Sequence, residues 1–279
     1  MQAVDGGERR TRGWRILHSP PIRILLAALF VLLPVTGVQL ALQATSIDAR
    51  IFGPALAVIA MVAYALYVRA IERRPIQEIQ TRTMPAQLIA GIATGAVLFG
   101  ATMLVLWLLG AAEIAAGQGW SAFLLSLMGS IGIAFAEEIL FRAVVFRILS
   151  GWLGDLAALA ISAALFGLVH AGNPGATMVS SAAIALEAGI LLGTAYMVTR
   201  QIWLPIGLHL AWNVTEGGVF GASVSGNEVP GLFSSHFEGD ALLTGGAFGP
   251  EASVVAVIVC LVAAALLFAV ARRRSRNIS

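Results

Sequence analysis

The stretch WSAFLLSLMGSIGIAFAEEILFRAVVFR, residues 120–147, is long, apolar and helical in pattern, yet it carries Glu137, Glu138 and Arg142 well inside it. A bilayer core of about 30 Å needs about 20 apolar residues per helix, so a run of this length reads as a membrane span. On either side, further apolar runs lie near 22–42, 52–71, 87–111, 154–171, 176–199, 202–215 and 252–271, each bounded by charges, prolines or glycines. The chain therefore reads as all-α, a polytopic helical membrane protein with about eight transmembrane helices.

Composition points the same way. With 58% hydrophobic and 11% charged residues in 279, too little polar surface exists to cover a soluble domain, and the lipid bilayer becomes the main solvent. All 17 basic residues are arginines and most flank the apolar runs, which assigns them to orientation and argues against nucleic-acid binding. The single Cys260 lies in the last run, so one chain builds neither a disulfide framework nor a cysteine-rich metal site, and the residue reads as packing.

The arginines also orient the chain. With a cytoplasmic N-terminus, Arg9, Arg10, Arg12, Arg15, Arg23, Arg69, Arg73, Arg74, Arg82, Arg147, Arg200 and the Arg272–Arg276 cluster fall inside, and only Arg50 falls outside. That split predicts an even number of spans with both termini cytoplasmic. The organisation expected is a basic tail over 1–21, one membrane domain over 22–271 and a basic tail over 272–279. The first run is longer than a signal-peptide core. The arginine-rich, lysine-free composition suggests a high-GC bacterium, and hence its inner membrane. The external stretch from about Glu216 to Pro250, rich in glycine and serine, has no helical or strand period and reads as a loop or lid. Gly249-Pro250-Glu251 reads as a helix start, the glutamate favourable beside the positive end of the helix dipole.

Charges at the centre of a membrane helix cost roughly 2.5–3.5 kcal/mol each, so those in the 120–147 run need a reason. Glu138 and Arg142, four apart, share a helix face and neutralise each other, whereas Glu137 points about 100° away and stays available. A buried ion pair that merely joins helices accounts for Glu138 and Arg142 but leaves Glu137 unexplained. Two further segments carry polar residues. Phe166-Gly-Leu-Val-His170 ends a helical run just before Asn173-Pro174, and its histidine, read alone, marks a membrane interface. Trp203-Leu-Pro205-Ile-Gly-Leu-His209-Leu-Ala-Trp-Asn213 puts His209 and Asn213 on one helix face. Read alone, these two form an interhelical pair worth about 0.6 kcal/mol per bond. Glu187, midway along the sixth run with no motif around it, is left outside the site.

At these three segments the chain resembles the CPBP family of intramembrane glutamic endopeptidases, related to CAAX prenyl proteases and to abortive-infection proteins. The pattern of two glutamates and an arginine appears as Glu137, Glu138 and Arg142, the phenylalanine-to-histidine element as Phe166 to His170, and the histidine-to-asparagine element as His209 to Asn213. The resemblance spans roughly 120–215. It implies an endopeptidase in which Glu137 is the general base, His170 helps hold or activate water, and His209 with Asn213 stabilises the oxyanion. Glu138, Arg142 and Phe166 would support them. It implies no cofactor and no metal, and a peptide or membrane-protein substrate. The chemistry is coherent, since a glutamate can take a proton from water and return it to the leaving amine, while pre-aimed donors stabilise the oxyanion.

Two alternatives remain at the level of sequence. A zinc protease would use His170, His209 and a glutamate as ligands, although no H-E-x-x-H motif is present. A membrane scaffold, immunity protein or transporter would use the polar cluster for packing or ligand binding. The topology also predicts a vertical gap, because His209 begins its helix near the cytoplasmic side while His170 ends its own toward the opposite side.

Overall fold

The computed structural model describes residues 19–276, with side chains to 274. The tail arginines Arg9, Arg10, Arg12 and Arg15 lie outside the described residues. Seven helices are long and apolar enough to cross a membrane: α1 (Pro20–Gln43), α2 (Ala49–Glu72), α3 (Met84–Leu108), α4 (Trp120–Leu153), α5 (Asp155–Gly172), α6 (Met178–Thr199) and α8 (Val254–Arg276). The eighth apolar run forms a shorter helix, α7 (Trp203–Asn213), prolonged by a wide π turn over Val214–Val219. Arg272 to Arg276 continue α8 as helix where a separate tail was expected.

Contacts between helix ends establish an alternating bundle. At one end Glu72 receives Arg23 (2.6 Å), Arg147 (2.9 Å) and Arg74 (2.7 Å), joining the start of α1 to the end of α2 and to α4. Arg200 pairs with Asp155, and Arg274 Nη1 donates to the Val198 carbonyl at 3.0 Å, which brings the ends of α6 and α8 to the same side. At the opposite end Arg50 forks onto Asp48, with Nη2 to Oδ2 at 2.7 Å and Nε to Oδ1 at 3.0 Å, and this holds the Asp48 carboxyl below its ordinary range. The outer shell is aliphatic, with Leu33 63% and Leu266 66% exposed, as expected where lipid replaces water.

Within lipid, tight helix contacts come from small residues that let backbones approach. Helix α7 lies against α3 through Gly91, Gly95 and Gly207. A Cβ on Gly95 would stand 2.2 Å from the Leu208 carbonyl oxygen, and one on Gly207 would stand 2.6 Å from that of Leu88. The apolar core forms two main clusters. One gathers α1, α2, α4 and α6 around Tyr64, Tyr67, Ile139 and Phe146. The other gathers α3, α6, α7 and α8 around Phe99, Leu191, Trp212 and Cys260.

The external stretch is more ordered than its composition suggests. Phe233–Phe237 (β2) pairs antiparallel with Ala112–Ala116 (β1), with Ala112 opposite Phe237 and Ala116 opposite Phe233. The chain between β2 and α8 folds back over the bundle: Gly226 donates its N–H to Phe248 at 2.7 Å, and Asn173 Nδ2 donates to Ser225 at 3.1 Å. Glu251 is not the cap of α8. That helix begins at Val254 and is capped by Ser253, whose Oγ accepts from the Ala256 N–H at 3.1 Å.

Candidate active site

Helix α4 widens into a π turn over Ile139–Phe146, directly after the two glutamates. Similar wide turns occur at Ala185–Gly189, around Glu187, and at Val214–Val219, around Glu216. Such bulges re-aim side chains at the cost of weaker backbone bonds and gather at functional sites. Here each adjoins or contains a buried acidic residue.

Glu138 is fully buried, and its Oε1 accepts from Arg142 Nη1 at 2.9 Å and from His209 Nδ1 at 2.9 Å. Its Oε2 has no partner. The Glu138–Arg142 pairing expected from their spacing is therefore present, and it reaches a third helix through His209. Arg142 is satisfied on several sides: its Nη2 donates to the carbonyls of Ala188 (3.2 Å) and Gly189 (3.4 Å), and the guanidinium lies 4.8 Å from the centre of the Phe166 ring. Phe166 thus serves as a shelf for the cation. Its ring also lies 4.7 Å from that of His170 and 6.2 Å from that of His209.

The expected vertical gap between the histidines is absent. Helix α7 starts deep because the chain around 73–80 tucks under it, with Ile202 N–H donating to Glu78 at 3.0 Å and Trp203 Nε1 to Gln80 at 2.8 Å. His170 Nδ1 bonds the Phe166 carbonyl at 2.7 Å. Since a carbonyl only accepts, Nδ1 carries the proton there and Nε2 of the neutral ring keeps its lone pair. By the same reasoning the Glu138 carboxylate takes the Nδ1 proton of His209, leaving its Nε2 edge free.

Phe166, His170, His209 and Asn213 line one small pocket of ≈ 20 Å³, room for about one water molecule. Glu187, Trp212, Ser225 and Glu251 complete much of its wall. Glu137 does not line this pocket. It faces a cleft of ≈ 280 Å³ with Thr36, Gln39 and Arg50, and its Oε2 is buried without a donor. A neighbouring cleft of ≈ 470 Å³ shares Arg50, Gly129 and Ile133 with it and is also lined by Ser126, Ser130 and Asn213. Asn213 therefore borders both the small pocket and the larger cleft system. Among the described residues no group of three or more His, Cys, Asp or Glu side chains is arranged to hold a metal ion.

Three buried glutamates were not anticipated at the site: Glu187 was set aside, Glu251 was read as a cap, and Glu216 as the start of a loop. They are 2%, 3% and 0% exposed. The available signal was an acidic residue inside or bordering an apolar run, the same signal that singled out Glu137.

The family model described as type II CAAX prenyl endopeptidase Rce1-like matches residues 118–215. Over that stretch the chain is similar to that family. The match is consistent with the CPBP family and runs from the start of α4 to the end of α7, so it contains Glu137, Glu138, Arg142, Phe166, His170, His209 and Asn213. Glu187 falls within the Rce1-like stretch, whereas Glu216 and Glu251 lie beyond it. No curated protein and no solved structure matches the chain.

Proposed function

We propose that this Rce1-like membrane protein is an intramembrane endopeptidase that cleaves a peptide or membrane-protein substrate with water activated by Glu137. The observation that carries the reading is the contrast between adjacent carboxylates. Glu138 is neutralised by Arg142 and tied to His209, while Glu137 makes no ion pair among the described residues and borders a cleft large enough for a peptide segment. A carboxylate that no guanidinium occupies is free to take a proton from water, which is what a general base must do.

In this scheme Glu137 takes a proton from water as the oxygen attacks the scissile carbonyl. The Asn213 amide N–H and the Nε2–H of a doubly protonated His209, whose Nδ1–H is held by the Glu138 carboxylate, donate to the developing oxyanion, and Glu137 returns the proton to the leaving amine. His170, its Nδ1 fixed on the Phe166 carbonyl, presents a lone pair that orients water. Oxyanion donors of this kind are each worth about 2.7–4 kcal/mol in acyl-transfer enzymes. The arginine-rich end of the bundle faces the cytoplasm, by the bias of arginine toward that side.

The test is cleavage of a panel of membrane-tethered peptides by purified wild type and Glu137→Gln in proteoliposomes, with and without chelator. The reading expects cleavage by wild type alone, indifferent to chelator, with a loss on the order of 100-fold or more in the variant. Chelator-sensitive cleavage would favour a metalloprotease instead.

A further inference from the structure

The pocket that holds His170 contains carboxyls that the proposed mechanism does not use. Glu251 and Glu187 both line it, and Glu251 Oε1 accepts the Ser225 N–H at 2.6 Å, which fixes the overlying loop against the pocket. Behind Glu251 stands Glu216, fully buried, with no donor reaching either oxygen among the described residues. The polar group against it is the Glu251 carboxyl itself. Two carboxyls in contact bond only when one keeps its proton, and two bare anions there would repel. Trp212 lines the same pocket, and its buried indole Nε1–H also has no acceptor. An orphaned indole donor beside a space of one water, walled by carboxyl and imidazole groups, is the setting in which a buried water is held.

We infer that Glu251, sharing one proton with Glu216, is a positioning residue that holds a water molecule beside His170. The Glu216 hydroxyl donates to one Glu251 oxygen. The Glu251 carboxylate, oriented by Ser225, accepts a hydrogen from the pocket water, whose oxygen lone pairs and second hydrogen are left for Trp212 and His170. No bond is made or broken in this arrangement. It places ordered water next to the cleft system, with Asn213 as the wall common to both. A capping role does not account for Glu251, because Ser253 caps α8.

The inference rests on the peptidase reading for its catalytic consequence and on infrared spectroscopy for the shared proton. Glu251→Gln retains an oxygen to accept from Ser225, so the loop contact survives while the carboxylate is lost. The expected result is a kcat lowered by on the order of 10- to 100-fold with KM unchanged. In addition, a protonated-carboxyl C=O band, shifted in heavy water, should be present in wild type, lost in Glu216→Gln, and moved in frequency in Glu251→Gln, where the Glu216 hydroxyl loses its carboxylate acceptor. Unchanged kcat in Glu251→Gln, or a spectrum without that band in wild type, would overturn it. Wild type that cleaves nothing yet keeps the band would fault the peptidase reading and sustain the shared proton.

Discussion

Two groups of buried glutamates occupy this molecule and are treated in opposite ways. At the arginine-rich end, both oxygens of Glu72 are met by guanidiniums from three different segments, and Glu78 adds a contact to Arg74 at 3.0 Å. In the middle of the bundle, Glu137 and Glu216 have oxygens that no donor reaches. Arg142 is committed to Glu138, and Arg50 to Asp48. The first arrangement fixes helices to one another and satisfies the carboxylate. The second leaves carboxyl oxygens unpartnered, at the expense of folding energy, where acid–base chemistry would use them.

The contrast breaks most visibly if Arg142 is removed. Arg142→Ala would leave Glu138 as an uncompensated buried anion, and it should destabilise the bundle by about 3–5 kcal/mol in denaturant unfolding in micelles. A variant as stable as wild type would mean that Glu138 needs no counter-ion. At the other end, Glu72→Gln weakens contacts to three arginines. It should lower stability by about 1–3 kcal/mol while cleavage per folded molecule stays at the wild-type level, measured by activity against the folded fraction. A drop in turnover without loss of stability would contradict the division between the two regions.

Asp48 sharpens the comparison from the solvent side. Its carboxyl is held below the ordinary value by the Arg50 side chain, so the pair stabilises the fold at neutral pH. That contribution is lost as pH falls through the lowered folded value. Because the pair is open to solvent, Asp48→Asn should cost less than about 1 kcal/mol, and its difference from wild type should vanish in acid. Unfolding followed across that pH range would show the convergence.

Much of this was legible in the sequence because lipid simplifies the code. Length and apolarity alone mark α1 to α6 and α8. The Glu138–Arg142 pair was readable because both residues sit four apart on one helix. Convergence of His170 and His209 was harder, since it depends on how deep α7 begins, and that is set by the chain around Glu78 and Gln80. The meeting of Glu187, Glu216 and Glu251 was not readable, as each comes from a different element and only tertiary packing unites them. The β1–β2 ribbon was also hidden. Ala112–Ala116 has the composition of a helix, and it becomes a strand only because Phe233–Phe237 is available to pair with it. Gly91 and Gly95, four apart in α3, did carry a legible signal of a close helix contact.

The most direct test of the central claim is to measure cleavage and unfolding together for Glu137→Gln reconstituted in lipid. The account predicts that the melting temperature stays at or above the wild-type value, since a carboxylate with one buried, unpartnered oxygen is relieved, while peptide cleavage disappears. A variant that cleaves at the wild-type rate, or one that loses cleavage only because it unfolds, would contradict it.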